Sequence, residues 1–454
     1  MSTPVEFSDD FTFGAATAAY QVEGAISEDG RVDSIWDVFC REPGRILNSE
    51  DGSIACDHYH RMRDDVALMA DLGLQTYRFS VSWPRVFAEG RVNPAGMDFY
   101  SRLVDELLEH QVSPWLTLYH WDLPAALPGG WTNRDTVDRF VEYALAVHDR
   151  LGDRVRTWTT LNEPWCSAFL GYAAGVHAPG HTDPVESLQA AHHLLLAHGR
   201  AVRALRAADP QAQLGITLNF TPVVPASDSA ADHEAARRVD GTANRLFADA
   251  LFTGRYPADV LADLAGVWPE DLVADGDLDT IAAPLDVLGV NYYTTQAIAA
   301  GTGESNTASA QVSAPQAVEV SRGLPRTAMG WEIEPDGLYR LLMRLQRDYT
   351  GAAGVPMVIT ENGAAFEDVP DASGFVDDSA DRIEYLREHL RAVQRARADG
   401  ADVRGYLVWS LMDNFEWALG YSKRFGVVRV DRHLRRIPKA SALWYSKLID
   451  SRRA

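Results

Sequence analysis

Pro114-Trp-Leu-Thr-Leu-Tyr-His120 is apolar at most positions and lacks the in–out alternation of a strand with one wet face. Such a run predicts a parallel strand covered on both sides. Downstream, Val137, Phe140, Val141, Ala144, Val147 and Leu151 recur at helical spacing, with Asn133 placed to cap the helix and Gly152 to stop it. Thr157-Trp-Thr-Thr-Leu161 then reads as a second strand of the same kind. Strand, helix and strand in this order form a βαβ unit, which requires a parallel sheet.

The same alternation extends in both directions. Residues 11–15, 75–81, 213–219, 287–293, 357–361 and 403–410 complete a set of eight β-rich segments. Amphipathic stripes separate them: Leu338, Leu341, Leu342 and Leu345 after Pro335, and Ile383, Leu386, Leu390 and Val393 before Gly400. Eight strands alternating with helices predict an α/β fold, a single (β/α)8 TIM barrel over residues 1–454. A doubly wound sheet would want a glycine-rich first turn, but the first strand leads into Tyr20-Gln-Val-Glu-Gly24. The length of 454 residues suggests several domains, but barrels with long loops can exceed roughly 400 residues as one unit. Two such loops are expected at the catalytic, C-terminal face: 299–327, rich in Ala, Ser, Thr and Gly, and the acidic 366–380. Loops of this length are usually functional or mobile.

Composition narrows the function. With 64 acidic against 42 basic side chains the formal net charge is −22, which argues against nucleic acid as a partner. Cys40, Cys56 and Cys166, sparse and without C-x-x-C spacing, predict neither a disulfide framework nor a zinc ribbon and fit a reducing compartment. No basic-then-apolar leader and no membrane-length apolar run is apparent, so the expected location is cytoplasmic. His58-Tyr-His60 resembles a metal-binding H-x-H but precedes the helix entering the second strand, where a structural role is expected. No metal or organic cofactor is implied. Twelve tryptophans stand out.

The strand ends carry the chemistry. Arg78, His120, Asn162-Glu163, Asn219, Asn291, Tyr293, Glu361-Asn362 and Trp409 fall at successive C-terminal ends, with Glu416-Trp417 a few residues on. In a barrel these positions converge on one pocket. Carboxylates placed there without a ligand cluster for a metal suggest paired carboxylate catalysis, and glycoside hydrolysis is the reaction most associated with that pair. Tryptophan faces and polar edges suit a sugar, apolar on its C–H faces and hydroxylated at its rim.

Seven motifs in order sharpen this expectation: Phe11-Thr-Phe-Gly-Ala-Ala-Thr-Ala-Ala-Tyr-Gln-Val-Glu-Gly24, Tyr77-Arg-Phe-Ser-Val-Ser-Trp83, Tyr119-His-Trp-Asp-Leu-Pro124, Thr159-Thr-Leu-Asn-Glu-Pro164, Asn291-Tyr-Tyr293, Val358-Ile-Thr-Glu-Asn-Gly363 and Asn414-Phe-Glu-Trp417. By these the chain resembles glycoside hydrolase family 1, the β-glucosidase family, from Phe11 to Trp444. The resemblance implies a retaining β-glycosidase, most simply a β-glucosidase with β-galactosidase or β-fucosidase side activity. It further implies a place in carbohydrate metabolism and cellulose degradation. It assigns Glu361 as nucleophile and Glu163 as acid/base, with the carboxyls about 5–5.5 Å apart. Arg78 and Tyr293 would hold Glu361 ionised, with Asn291 in the same site. Gln21, His120, Asn162, Glu416 and Trp417 would bind the non-reducing sugar, with Trp409 its floor and Trp121 nearby. Trp331 would be the platform for the leaving group, joined by Trp165, Asn219 and His177.

The family's phospho-glycosidases replace the Glu416-Trp417 pair, present here, and Glu416 would repel a 6-phosphate; Lys423 is the one residue that would suit one. Thioglucosidases carry Gln at the acid/base position, which here is Glu163. A catalytically silent sugar-binding barrel and a metal-dependent barrel hydrolase are the alternatives from other classes. The remaining tryptophans (Trp36, Trp83, Trp115, Trp131, Trp158, Trp268 and Trp444) are expected in core or loop packing.

Overall fold

The computed structural model describes residues 5–88, 90–301 and 308–451. Eight strands, β1 (Thr12–Ala16), β2 (Thr76–Ser80), β3 (Ser113–Tyr119), β4 (Thr157–Asn162), β5 (Gln213–Asn219), β6 (Val287–Asn291), β7 (Met357–Asn362) and β8 (Val403–Trp409), are hydrogen-bonded side by side in chain order. Every pairing is parallel, and β1 closes the ring on β8, with Ala16 opposite Trp409. All eight expected strands are present, displaced by a residue or two at some ends.

The strand sequences explain why the ring closes. Strand interiors are buried on both faces, as in β2, where all five residues are buried. A Cβ on Gly14 would fall 2.2 Å from the Thr76 carbonyl oxygen, and one on Gly215 2.4 Å from that of Val287. Glycine at these positions lets neighbouring strands approach.

Helices α1 (His58–Asp71), α2 (Pro94–Glu109), α3 (Asp135–Leu151), α4 (Pro184–Ala208), α5 (Leu246–Thr253), α6 (Pro335–Leu345), α7 (Glu384–Ala398) and α8 (Ala440–Asp450) lie in the connections between strands or after β8. On α3 the predicted stripe faces inward: Val137, Phe140, Ala144, Val147 and Leu151 are buried and Val141 half-buried. Asn133 sits just outside the helix, its Oδ1 accepting from the Asp135 N–H at 3.0 Å. His58, the first residue of α1, places Nδ1 2.7 Å from Asp65 of the same helix, a structural pairing as expected.

The two long loops differ from expectation. Within 299–327, Val318–Val320 pairs with Gln296–Ala299, which pairs with Val223–Pro225 in a three-stranded sheet; residues 302–307 of that stretch lie outside the described residues. Segment 366–380 carries no helix or strand as far as residue 378, yet it is anchored. Asp368 and Asp378 are paired with Arg382, and Asp368 also with Lys439, which reaches Asp413 Oδ1 at 2.8 Å. All of these side chains are almost wholly buried. Breaking such a cluster by removing one member leaves an uncompensated charge, at a cost of about 3–5 kcal/mol. Lys439→Met is therefore expected to lower the thermal midpoint markedly, whereas Arg41→Met, which breaks a pair exposed on both sides with Asp33, leaves it within about a degree, since exposed pairs contribute only ~0–1 kcal/mol. Calorimetry of the two variants checks this.

Candidate active site

At the C-terminal rim of the barrel, Arg78 from β2 is the hub. Its guanidinium, about 1% exposed, donates through one nitrogen to Glu361 Oε1 at 2.7 Å and through another to Asn162 Oδ1 at 2.7 Å. The second oxygen of Glu361, on β7, accepts from the Tyr293 hydroxyl at 2.8 Å. Glu163 follows the last residue of β4 and has a left-handed backbone, φ 48°. Its Oε1 accepts from Asn291 Nδ2 at 2.7 Å, and its Oε2 lies 3.2 Å from the Cys166 thiol. Asn291 in turn has Oδ1 held by Thr360 at 2.7 Å, so its amide orientation is determined by its neighbours.

The two carboxyls therefore sit in different surroundings. One is held by a cation and a phenol; the other by an amide and a thiol. Burial pushes the Glu163 carboxyl up to about 8, with the charge of Glu361 as the next contribution. Burial also raises Glu361, but the Arg78 charge and the hydrogen bonds from Arg78 and Tyr293 oppose it. Glu361 is accordingly the member that ionises first, leaving Glu163 protonated at neutral pH.

A cavity of ≈ 280 Å³ opens above them, lined by both glutamates. His120, Trp121, Asn291, Tyr293, Trp331, Trp409, Glu416 and Trp417 line it too, as do Trp165, His177 and Asn219. Arg78, Asn162 and Gln21 do not form its wall but stand behind it. Asn162 donates to His120 Nε2 at 3.1 Å, so the neutral imidazole carries its proton on Nδ1, an atom with no partner in the protein. Burial and the nearby Arg78 keep that ring uncharged. Gln21 is held by the Phe415 carbonyl at 2.8 Å and Asn414 Oδ1 at 3.2 Å, leaving its buried Oε1 without a partner; Glu416 Oε2 likewise has none. Burial, then the charges of Glu361 and Glu163, raise Glu416 to about 8, so the repulsion of a phosphate expected from it is weaker than a free carboxylate would give.

Aromatic rings shape both ends of the cavity. Trp417 packs on Trp36 at 4.5 Å and Trp121 at 4.6 Å, and Trp409 lies parallel to His120 at 5.8 Å. At the outer end Trp331 meets Tyr293 at 5.3 Å and Phe425 at 6.1 Å. Lys423 Nζ donates to the Ala328 carbonyl at 2.7 Å and so braces the turn that carries Trp331. Phe425 and Cys166 were not anticipated from the sequence; Cys166 lies just past the motif at 159–164, and Phe425 in the loop beyond the one at 414–417. A wider cleft of ≈ 490 Å³ between residues near Glu50 and Arg432 is lined by neither Glu163 nor Glu361. Among the described residues no group of His, Cys, Asp and Glu could hold a metal ion, and no helix is long and apolar enough to cross a membrane.

The sequence profile described as glycosyl hydrolase family 1 matches residues 3–454. The chain belongs to that family. Its relatives include the thermostable beta-glucosidase B of Thermobispora bispora, 52% identical over 98% of this chain and 91% of the relative. The bifunctional beta-D-glucosidase/beta-D-fucosidase of Bifidobacterium breve is 47% identical, with 98% of each chain covered. Among solved structures, the psychrophilic beta-glucosidase of Micrococcus antarcticus superposes with a TM-score of 0.95 at 49% identity, covering 99% of this chain and 98% of that one. The family's enzymes are retaining glycosidases, so the (β/α)8 fold and glycosidic-bond hydrolysis expected from the motifs both hold for this member.

The coupling of the two carboxyls has a measurable sign. Replacing Glu361 by Gln removes a negative neighbour, so the pKa of Glu163 should fall from about 8 yet stay above 4.5, because burial remains. Infrared titration of carboxyl-labelled protein reads this directly; a Glu163 pKa that rises or is unchanged in Glu361→Gln contradicts the coupling.

Proposed function

We propose that the protein is a β-glucosidase that removes terminal non-reducing β-D-glucosyl residues from β-glucosides and short oligosaccharides by double displacement. The observation that carries this is the unequal pair: Glu361 held by Arg78 and Tyr293, and a protonated Glu163, in one aromatic-lined cavity. Glu361 attacks the anomeric carbon while Glu163 gives its proton to the departing oxygen, leaving a glycosyl ester on Glu361. Esterification removes the Glu361 charge, the proton affinity of Glu163 falls, and Glu163 then takes a proton from the water that hydrolyses the ester.

From the cavity wall, His120 Nδ1–H offers a donor to sugar hydroxyls and the neutral Glu416 carboxyl can donate or accept, with Gln21 Oε1 an acceptor just behind the wall and Trp409 and Trp417 against the ring faces. Trp331 receives the leaving group. The bifunctional relative supports side activity on β-fucosides. The reading includes a cytoplasmic enzyme, one catalytic domain over the whole chain, supplied with glucosides from cellulose breakdown. The three cysteines, all free, suit a reducing compartment.

The rate of an enzyme built this way follows a bell-shaped pH profile, its acidic limb set by Glu361 and its basic limb by Glu163. Glu163→Gln should lose ~10²–10⁴-fold in kcat/KM on alkyl glucosides, whose leaving groups need a proton, and far less on dinitrophenyl glucosides, whose leaving groups do not. A profile flat from about pH 4 to 9, or equal losses on both substrates, overturns the assignment.

A further inference from the structure

Cys166 is the first residue of a π-helical segment, Cys166–Ala173, that continues the helical backbone of Pro164 and Trp165 directly after Glu163. The Cys166 N–H bonds the Glu163 carbonyl at 3.0 Å, so the chain folds back and delivers the thiol to the Glu163 carboxyl, 3.2 Å from Oε2. π-Helical turns are rare and occur frequently at functional sites. Cys166 is buried, lines the same cavity as both glutamates, and forms no disulfide.

The two oxygens of Glu163 are unequal. Oε1 accepts a strong amide hydrogen bond from Asn291, so the acid's proton belongs on Oε2. Oε2 is the oxygen that Cys166 touches. Thiol and catalytic proton therefore contend for the same lone pairs. We propose that Cys166 is a positioning residue for the acid/base: its S–H donates to the ionised Glu163 and eases the conversion of that one carboxyl from acid to base.

The other groups facing Glu163 are accounted for. Glu361 from β7 opposes its ionisation and Arg78 from β2 favours it. His120, after β3, is held neutral, as is His177, which follows the π segment. Tyr293, after β6, stays a phenol, and Glu416, beyond β8, is itself raised by burial. Burial likewise keeps the Cys166 thiol protonated at working pH, so it acts as a donor and not as a charge. None of these groups is altered by changing Cys166.

The sign follows from this geometry. A donor to the carboxylate favours ionisation, so its loss raises the pKa of Glu163 and carries the basic limb of kcat/KM to higher pH. Cys166→Val, close in size but without a donor, should move that limb up by about half a pH unit, the scale of one weak hydrogen bond to a charge. Cys166→Ser, which keeps a donor, should leave the limb at or below its wild-type position. A residue needed only for packing would change kcat or KM at every pH and leave the limb in place. A valine limb that coincides with wild type, or a serine limb that moves as far as valine's, overturns the proposal. If valine does not fold, Cys166→Ala is read in its place. The inference rests on Glu163 being the acid/base: a wild-type profile without a basic limb defeats that assignment, whereas an unmoved limb defeats only this one.

Discussion

A guanidinium buried at the rim of a barrel is costly unless its hydrogen bonds are met, and Arg78 meets two of them with the groups that matter most. One fork holds Glu361 and the other holds Asn162, which in turn orients His120. The pair is of the kind in which desolvation opposes the Coulombic gain, so its retention is better understood through function than through stability. Without the cation, burial would push the Glu361 carboxyl further up, away from the ionised form that the proposed attack requires. With it, that rise is opposed, and the charge of an ionised Glu361 joins burial in raising Glu163. One ion pair thus creates the asymmetry on which retaining chemistry depends.

The barrel's contribution is to bring that pair together from distant parts of the chain. Arg78 and Glu361 are 283 residues apart in sequence and 2.7 Å apart in space. They are adjacent because β2 and β7 end at the same rim of a closed parallel ring. The loops above the rim are held by a second buried ion cluster. Arg382 and Lys439 bind the acidic segment after β7 to Asp413 after β8, next in sequence to Asn414, which holds Gln21 behind the cavity wall. An acidic loop that suggests motion in isolation is therefore part of the frame.

Strands and strand-end residues were legible because both obey short-range rules. A parallel strand covered on both faces must be a near-continuous apolar run, and polar residues ending such runs stand out. Seven motifs then assigned roles that spacing alone left open. What stayed hidden depends on partners far away in the chain. Asp368 and Asp378 look like solvated loop charges until Arg382 and Lys439 are placed over them. The short strand Val318–Val320 carries too few residues for periodicity to reveal it. Glu416 reads as a charge, but burial near two other carboxyls favours its neutral form. Cys166 has no role in any motif, since only the chain reversal that bonds its N–H to the Glu163 carbonyl aims its thiol at the Glu163 carboxyl.

The central claim is that Glu361, held ionised by Arg78, becomes covalently bonded to the sugar. A 2-deoxy-2-fluoro-β-glucoside with an activated leaving group tests it most directly. The fluorine slows both steps, while the good leaving group keeps the first fast enough for the glycosyl-enzyme to accumulate. Mass mapping of the trapped protein is predicted to find one fluoroglucosyl group on the peptide containing Glu361. An adduct on the Glu163 peptide, or complete turnover of the aryl group without any adduct, would contradict the account.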